Sequence, residues 1–349
     1  MINQDLIKKY RFRQQWMLLG LPFDAVTLDQ ACDRVMTAIQ ERQRCFISTP
    51  NLNFVINAQR DPGFAKSVML SDLNLADGMP LVWAAKWLNI PIPERVAGST
   101  LFDELVKRAD PSRPLRVFFF GGDTGVAEKA ASVLNDRSEA VICCGYHDPG
   151  RGDVESMSTP EIIDKINASN ADFLVVSLGA KKGQEWILNN LKHLEVPVVS
   201  HLGAVVNFVA GNVKRAPALW QKLGLEWLWR ILEEPYLWKR YASDGVAALR
   251  MSGKLLKQKG QKKSSKNPQA ELVLLENNKV RLLLSGRPTA AQLHLLYNQL
   301  NDQLDSVLAI QLEAEEADQN CSELQAFIEI LVTLSQASGI ELTRKILKR

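Results

Sequence analysis

The 349-residue sequence predicts an α/β protein with a Rossmann-like, mostly parallel sheet, a basic helical appendage and a second, small α/β domain. Three observations support this prediction. Between Cys45 and His201, short apolar runs rich in β-branched or aromatic residues alternate with stretches of helical spacing, as in the βα units of a parallel sheet. After Asn212 the sequence is dense in aromatic and basic residues, with helical spacing. Beyond a basic linker, strand and helix patterns alternate again.

Six apolar runs are the predicted strands of the first sheet. In chain order they read CFIST, LNLA, LRVFFF, AVICCG, FLVVSL and PVVSHL. Each run leads into a polar or glycine-containing turn. Because open α/β sheets bind ligands outside the carboxyl ends of their strands, these turns predict one nucleotide-sized site at that edge.

Charge changes along the chain where the predicted structure changes. The net charge is +3, but residues 212–266 carry 13 Lys and Arg against 4 Asp and Glu, whereas residues 267–349 carry 7 against 11. The basic band predicts contact with a polyanion, and a merely solvated linker is the alternative. The predicted parts are an α/β core (1–211), an aromatic and basic appendage (212–255), a basic linker (256–270) and a small acidic domain (271–349).

Composition argues against several classes of protein. The apolar runs fall short of the ~20 residues of a membrane-spanning helix, and no secretory signal follows the first residues, so we expect a cytoplasmic protein. The five cysteines form no C-x-x-C pair, which predicts reduced thiols. No metal-binding motif occurs. Of the scattered histidines, His201 ends a strand and is expected to be buried and hydrogen-bonded rather than a ligand.

Two turns after predicted strands could approach a phosphate. Gly121 and Gly122 precede a helix whose N-terminus favours negative charge, although an ordinary tight turn explains them as well. Gly179 precedes a second helix, where the glutamine could read a base edge and the lysines could meet a diphosphate. A solvated helix start is the alternative there. The polar residues that open this helix are Lys181, Lys182, Gln184 and Glu185.

Asp77 directly follows the second predicted strand and precedes a helix. Taken alone it would be an N-cap, and a functional role needs partners. Thr49 and Asn51 come from the neighbouring strand end, and Arg95 is the nearest cation in sequence. Asp77, Thr49 and Asn51 are therefore the candidate catalytic residues, with Arg95 as a candidate substrate contact beside them.

Eight motifs occur in an order that carries a family resemblance. They are STPNLNFV, LADGMPLV, PERVAGSTLF, FFFGGDTGVAEKAA, GYHDP, SLGAKKGQEWI, GAVVNFVAGNVKRAP and LGLEWLWRILEEPYLWKRY. From about Leu18 to about Leu249 the chain resembles the WecG/TagA/CpsF glycosyltransferases, among them N-acetylmannosaminyltransferases. The resemblance implies inverting, metal-independent and cofactor-free transfer of a sugar from a UDP-sugar to a polyprenyl-diphosphate-linked sugar, in bacterial surface or exopolysaccharide biosynthesis. The implied sugars are N-acetylmannosamine, its uronic acid and glucose.

The resemblance also implies roles for individual residues. Asp77 matches the proposed base, Thr49 and Asn51 help to hold the sugar or acceptor, Gln184 matches a uridine contact, and Tyr146 matches the tyrosine after the fourth strand. Departure of UDP without a metal needs cations, for which Arg215, Arg230 and Arg240 are candidates. For Arg230, an ion pair with Glu226 or Glu234 is the alternative. The predicted substrate-binding set is Arg95, Gly121, Gly122, Tyr146, Gly179, Lys181, Gln184, Glu185, Asn207, Arg215, Arg230 and Arg240.

This chain departs from the family pattern at two places. GAKKGQE lacks a proline and has one extra residue, which affects the placement of Lys181 and Gln184. Asn207 stands where the family often carries an aspartate.

The acidic tail shows a ββαβαβ pattern and resembles a STAS domain, a module for protein interaction and regulation. Ser322, in the DQNCSEL turn, matches that module's regulated serine, and a helix N-cap is its plainer role. The resemblance makes a regulatory protein a candidate partner of this domain.

The segment from Gly224 to Tyr241 is predicted to be a helix that is apolar on most sides, followed by aromatic residues beside cations. We expect one side to cover the nucleotide site and the other to rest on the anionic inner face of the cytoplasmic membrane. Burial against a second copy of the chain, as a homo-oligomer, is the alternative.

Two other functions compete with the transferase. A nucleotide-cofactor oxidoreductase is disfavoured because no acidic residue follows GGDTG at the distance that a ribose contact needs. A basic scaffold that binds anionic lipid or nucleic acid remains a non-enzymatic alternative. The transferase itself predicts no nucleic-acid partner.

Overall fold

The computed structural model describes residues 15–217, 219–220, 224–260, 269–286, 288–303, 306–315, 322–338 and 340–347. The chain start, most of the predicted linker and part of the DQNCSEL turn lie outside the described residues. The elements of the first part are β1 Gln15–Leu18, β2 Leu21–Asp24, α1 Leu28–Gln40, β3 Cys45–Ser48, α2 Leu52–Arg60, α3 Pro62–Met69, β4 Leu73–Asn74, α4 Met79–Trp87, α5 Gly98–Arg108, β5 Leu115–Gly121, α6 Val126–Arg137, β6 Val141–His147, α7 Pro160–Ala168, β7 Phe173–Ser177, α8 Ala180–Asn190, β8 Val198–His201 and α9 Val205–Val209.

The six strands predicted between Cys45 and His201 are confirmed as one parallel sheet. Their order is β4-β3-β8-β7-β5-β6. Strand β5 shows why its residues form a central strand: Phe119 packs on one face of the sheet, while Phe118 and Phe120 pack on the other. Both faces are therefore buried beneath helices, as in other parallel sheets.

An antiparallel hairpin of β1 and β2 precedes this sheet and was not predicted. Its turn contains Leu19 and Gly20, both with positive φ. Phe23 of the hairpin is fully buried and packs in a core with Phe54 of α2 and Phe64 of α3. The hairpin therefore buries one side of the helix pair that follows β3.

The appendage consists of α10 Glu226–Glu233, a 3₁₀ turn at Pro235–Leu237 and α11 Trp238–Gly260. Pro235 cannot continue the hydrogen-bonding pattern of α10, so the helix ends and the chain turns before α11. No helix among the described residues is long and apolar enough to cross a bilayer.

The second domain contains β9 Gln269–Leu275, β10 Lys279–Ser285, α12 Ala290–Gln303, β11 Ala309–Glu315, α13 Ser322–Ser338 and β12 Glu341–Leu347. The predicted ββαβαβ order is confirmed, in a four-stranded sheet of order β12-β11-β10-β9. Asn277 and Asn278 both adopt positive φ in the β9–β10 turn, which is the conformation that a tight hairpin requires. The likeness to a STAS domain and the predicted domain boundaries stay predictions.

The second domain packs on the hairpin of the first part. Met17 and Met69 belong to the same core cluster as Leu282 and Phe327. His294 stacks on Trp16, with ring centroids 3.9 Å apart, and its Nδ1 lies 2.7 Å from the Gln15 carbonyl oxygen. These contacts dock the second domain on the hairpin and on α3.

Candidate active site

A cavity of about 710 Å³ opens at the carboxyl ends of β3, β4, β7 and β8, the edge that the sequence predicts. The sheet side of its wall includes Thr49, Asn51, Asp77, Gly179, His201 and Asn207. The appendage supplies the opposite side, including Glu226, Trp227, Arg230, Glu234, Tyr236, Arg240 and Asp244. The site is therefore assembled from two segments that are distant in sequence.

Asp77 is held at the cavity wall by its backbone rather than used as a cap. Its N–H donates to the Pro50 carbonyl at 2.9 Å, and Gly78, with φ 152°, takes the N-cap position of α4 without a side-chain hydrogen bond. Burial raises the pKa of Asp77 to about 6, an effect that Arg95 opposes and Glu226 reinforces. A carboxylate with this pKa is deprotonated at neutral pH but still basic enough to accept a proton.

Arg95 forms an ion pair with Glu226 of α10, with Nη1 and Oε2 2.5 Å apart. Both side chains are largely buried, at 15% and 17% exposure. The Arg95 loop is fixed beside Asp77, because the N–H of Val96 donates to the Ala76 carbonyl at 2.9 Å. One ion pair thus joins the core to the appendage next to the candidate base.

Arg230 also pairs within the cavity wall. Its Nη2 and Nε lie 2.5 and 3.2 Å from Glu234 Oε2, and Tyr236 donates its hydroxyl to the same carboxylate at 2.6 Å. The guanidinium lies over the Phe208 ring, 5.6 Å from its centroid. Of the two predicted alternatives, Arg230 pairs with Glu234, while Glu226 pairs with Arg95.

Thr49 and Asn51 follow β3 along the same wall. Thr49 is buried beside Gly98, where any Cβ would collide with Leu202. The Asn51 side-chain oxygen caps α2 by accepting from the Phe54 N–H at 3.2 Å, and its Nδ2 makes no hydrogen bond to another described residue. That amide can still donate to a ligand.

Residues 16–265 match the model of the glycosyl transferase WecG/TagA/CpsF family. The chain belongs to this family. An N-acetylglucosaminyldiphosphoundecaprenol N-acetyl-beta-D-mannosaminyltransferase of Bacillus spizizenii is 32% identical over 59% of this chain and 78% of its own length. A protein of the same name from Staphylococcus aureus is 30% identical over 64% of this chain and 85% of its own length. Membership in a glycosyltransferase family favours the transferase over the oxidoreductase and the scaffold.

A solved structure of SsGBP with GDP covers 67% of this chain, at 11% identity and a TM-score of 0.22. That similarity is too low to support any conclusion about the glycosyltransferase site.

About half of the predicted site residues of this WecG/TagA/CpsF chain meet at the cavity. Thr49, Asn51, Asp77, Arg95, Gly179, Asn207, Arg230 and Arg240 lie in its wall. The others lie outside the wall: Gly121, Gly122, Tyr146, Lys181, Gln184, Glu185 and Arg215. The roles of both groups in the glycosyltransferase stay predictions.

Four of the residues outside the wall bind other protein side chains. Gln184 is fully buried and donates from Nε2 to Ser48 Oγ at 2.9 Å. Lys181 pairs with Asp61 at 2.6 Å, and the Tyr146 hydroxyl donates to Glu128 at 3.1 Å. Arg215 pairs with Asp103. Gln184 therefore supports the strand end that precedes Thr49.

His201 and Asp244 are two of the polar residues in the wall that were not predicted as site residues. His201 is buried, as predicted. Its Nε2 does not form the predicted hydrogen bond, because it has no partner among the described residues. Burial lowers the pKa of His201 to about 4, so the ring is neutral at pH 7. Asp244 of α11 is buried and accepts from Asn53 Nδ2 at 3.2 Å. The signal for Asp244 was available in the sequence, because no acidic residue follows it before Glu271.

Proposed function

We propose that the protein transfers a sugar from a UDP-sugar to a polyprenyl-diphosphate-linked sugar, with inversion and with Asp77 as the general base. One observation carries this proposal. A carboxylate with a pKa of about 6 lies at a strand end in the wall of a cavity that is large enough for a nucleotide sugar, and two arginines of the appendage, Arg230 and Arg240, line the same cavity.

The acceptor hydroxyl transfers its proton to the Asp77 carboxylate as its oxygen attacks the anomeric carbon. The bond from that carbon to the UDP phosphate oxygen breaks, and its electron pair leaves with UDP. A single displacement inverts the anomeric configuration, as it does in enzymes that use one carboxylate as base. Thr49 and Asn51 lie beside Asp77 in the wall and are proposed to hold the sugar or the acceptor.

Negative charge develops on the departing UDP and needs stabilisation. Arg230 and Arg240 line the appendage side of the cavity, and the N-terminus of α8 reaches it at Gly179. Guanidinium groups and helix N-termini both bind phosphates. These groups support our proposal that the reaction proceeds without a divalent metal.

The names of the relatives indicate which sugars to test first. They describe transfer of N-acetylmannosamine to N-acetylglucosaminyl-diphosphoundecaprenol. We propose the same pair for this chain, with UDP as the carrier of the donor sugar.

The acceptor lipid accounts for an exposed apolar surface around the appendage. Trp83 and Trp87 of α4 are exposed, and α4 meets the start of the appendage, because a Cβ on Gly224 would collide with Met79. The exposed large apolar residues described in the appendage are Leu219, Trp227, Leu232, Tyr236, Trp238, Val246 and Leu249. Lys239 and Arg250 are exposed on the same segment. We propose that this surface rests on the anionic inner face of the cytoplasmic membrane.

The second domain packs against β1 and α3 rather than against the cavity. We therefore assign it no part in sugar transfer, and binding of a regulatory protein is its proposed role.

The test compares Asp77→Asn with the wild type. The donors are UDP-N-acetylmannosamine, its uronic acid counterpart and UDP-glucose, and the acceptor is a short-chain prenyl-diphosphate-N-acetylglucosamine. EDTA is present, and the product is identified by its mass. We expect kcat to fall about 10²–10⁴-fold while UDP affinity, measured by calorimetry, is retained. Full activity of the variant would rule out Asp77 as the base. Loss of wild-type activity in EDTA, restored by a divalent cation, would contradict the metal-free reaction.

Stability provides the folding control for the same variant. Because the folded pKa of Asp77 is about 6 against a usual 3.8, ionising it destabilises the wild-type protein as pH rises through that interval. Asp77→Asn lacks this cost and should be more stable by about 1–3 kcal/mol above pH 6. The difference should vanish below pH 4.

A further inference from the structure

The ion pair between Arg95 and Glu226 connects the appendage to the surroundings of Asp77. Asp77 accepts a hydrogen bond from the Gly98 N–H, and the charged groups that influence it are Arg95 from the core and Glu226 and Arg230 from α10. Arg230 is already paired with Glu234. Arg95 is thus the only one of these cations that comes from the core.

Glu226 competes with Asp77 for the positive charge of Arg95. An arginine close to an aspartate stabilises the carboxylate and makes it a weaker base. The Glu226 carboxylate binds the Arg95 guanidinium at 2.5 Å, so Arg95 stabilises the Asp77 carboxylate less than it would without Glu226. Both partners are largely buried, so solvent screens this effect less than it would at the surface.

We propose that Glu226 is a positioning residue of the transfer reaction, which docks α10 on the core and, by engaging Arg95, keeps Asp77 basic when the appendage covers the cavity. The inference rests on the proposed function, because it takes Asp77 as the base. Proton abstraction by Asp77 is therefore favoured only when α10 is docked on the core and the appendage covers the cavity. A site left open to water would hold Asp77 paired with Arg95 and less reactive.

The test is Glu226→Gln, which keeps the size and hydrogen-bonding capacity of the side chain but removes its charge. Arg95 is then released from its ion pair, and the carboxylate that raises the pKa of Asp77 is lost. We expect the acidic limb of the kcat/KM profile against pH to move to lower pH by roughly half to one unit. A residue that only supported the fold would lower kcat/KM at every pH without moving the limb.

Glu233→Gln is the matched control, because Glu233 lies on the same helix but is exposed and outside the cavity wall. Its acidic limb should coincide with that of the wild type. If Glu226→Gln is too slow to assay, the same shift can be read from stability. The pH at which the Tm difference between Glu226→Gln and the double variant Glu226→Gln/Asp77→Asn stops growing should lie below the corresponding pH for the wild type and Asp77→Asn, because the difference levels off at the folded pKa of Asp77.

An acidic limb unchanged in Glu226→Gln, together with an unchanged pH at which the Tm difference levels off, would overturn the inference. That outcome leaves the proposed function intact as long as Asp77→Asn is inactive. An active Asp77→Asn variant would instead remove the proposed base, and with it the basis for this inference.

Discussion

The two sides of the cavity are built differently. The sheet side carries Asp77 and Thr49 on strand ends that are fixed by backbone hydrogen bonds and surrounded by buried residues such as Ser48. On the appendage side, no residue of α10 is buried. Ion pairs and a few polar contacts link that side to the core. The difference indicates that the core fixes the proposed base, whereas the appendage supplies the proposed cations, whose position depends on a small number of contacts.

On the appendage side, the largest effect should come from removing a cation. Arg230→Ala removes a guanidinium proposed to meet the charge on departing UDP, and we expect kcat to fall about 10²–10³-fold. The thermal transition should also fall, because the buried Glu234 carboxylate loses its ion-pair partner, so kcat is measured below the unfolding temperature of the variant. Lys239→Ala is the control, since Lys239 is exposed on α11 and outside the cavity wall. Wild-type kcat in Arg230→Ala would show that the appendage does not contribute to leaving-group departure.

A smaller effect should follow from loosening the appendage. Asn53→Ala removes the amide that donates to the buried Asp244, leaving that carboxylate without this partner at a cost of about 1–3 kcal/mol. Hydrogen exchange should accelerate in α11 but not in β5, and KM should rise more than kcat falls. Asn57→Ala is the control, because Asn57 donates to Asn53 at 2.9 Å and is not a partner of Asp244 in the described contacts. Equal exchange in α11 of both variants would argue against this anchor.

The contrast between the two sides also explains what the sequence could predict. The βα alternation predicted all six strands of the first sheet, because burial on both faces leaves continuous apolar runs such as LRVFFF. Asp77 could be predicted because parallel strands bring their carboxyl ends to one edge. The ion-pair partners of Arg95 and Arg230 could not be predicted. Arg95 and Glu226 are 131 residues apart, and both Glu226 and Glu234 lay within helical reach of Arg230.

Other misses have similar physical causes. The β1–β2 hairpin was missed because β2 contains Pro22, and a proline within a short apolar run argues against a strand. Gln184 opens a helix at a predicted ligand edge, but its side chain turns into the protein to meet Ser48. The local sequence pattern predicts where a residue lies along a helix or strand. Whether its side chain binds a ligand or a buried protein group depends on parts of the chain that are distant in sequence.

The smallest effect on chemistry should come from the outer surface of the appendage. Trp238 is 55% exposed, so Trp238→Ser should change stability by no more than about 0.5 kcal/mol and leave transfer to a short-chain acceptor unchanged. Binding to phosphatidylglycerol vesicles should weaken roughly five- to tenfold, since about 1 kcal/mol of apolar burial is lost. Leu274→Ser is the control: Leu274 is 61% exposed but lies on β9 of the second domain. If both variants bind vesicles equally well, contact with the membrane is not a property of the appendage, and its exposed aromatic residues need another partner.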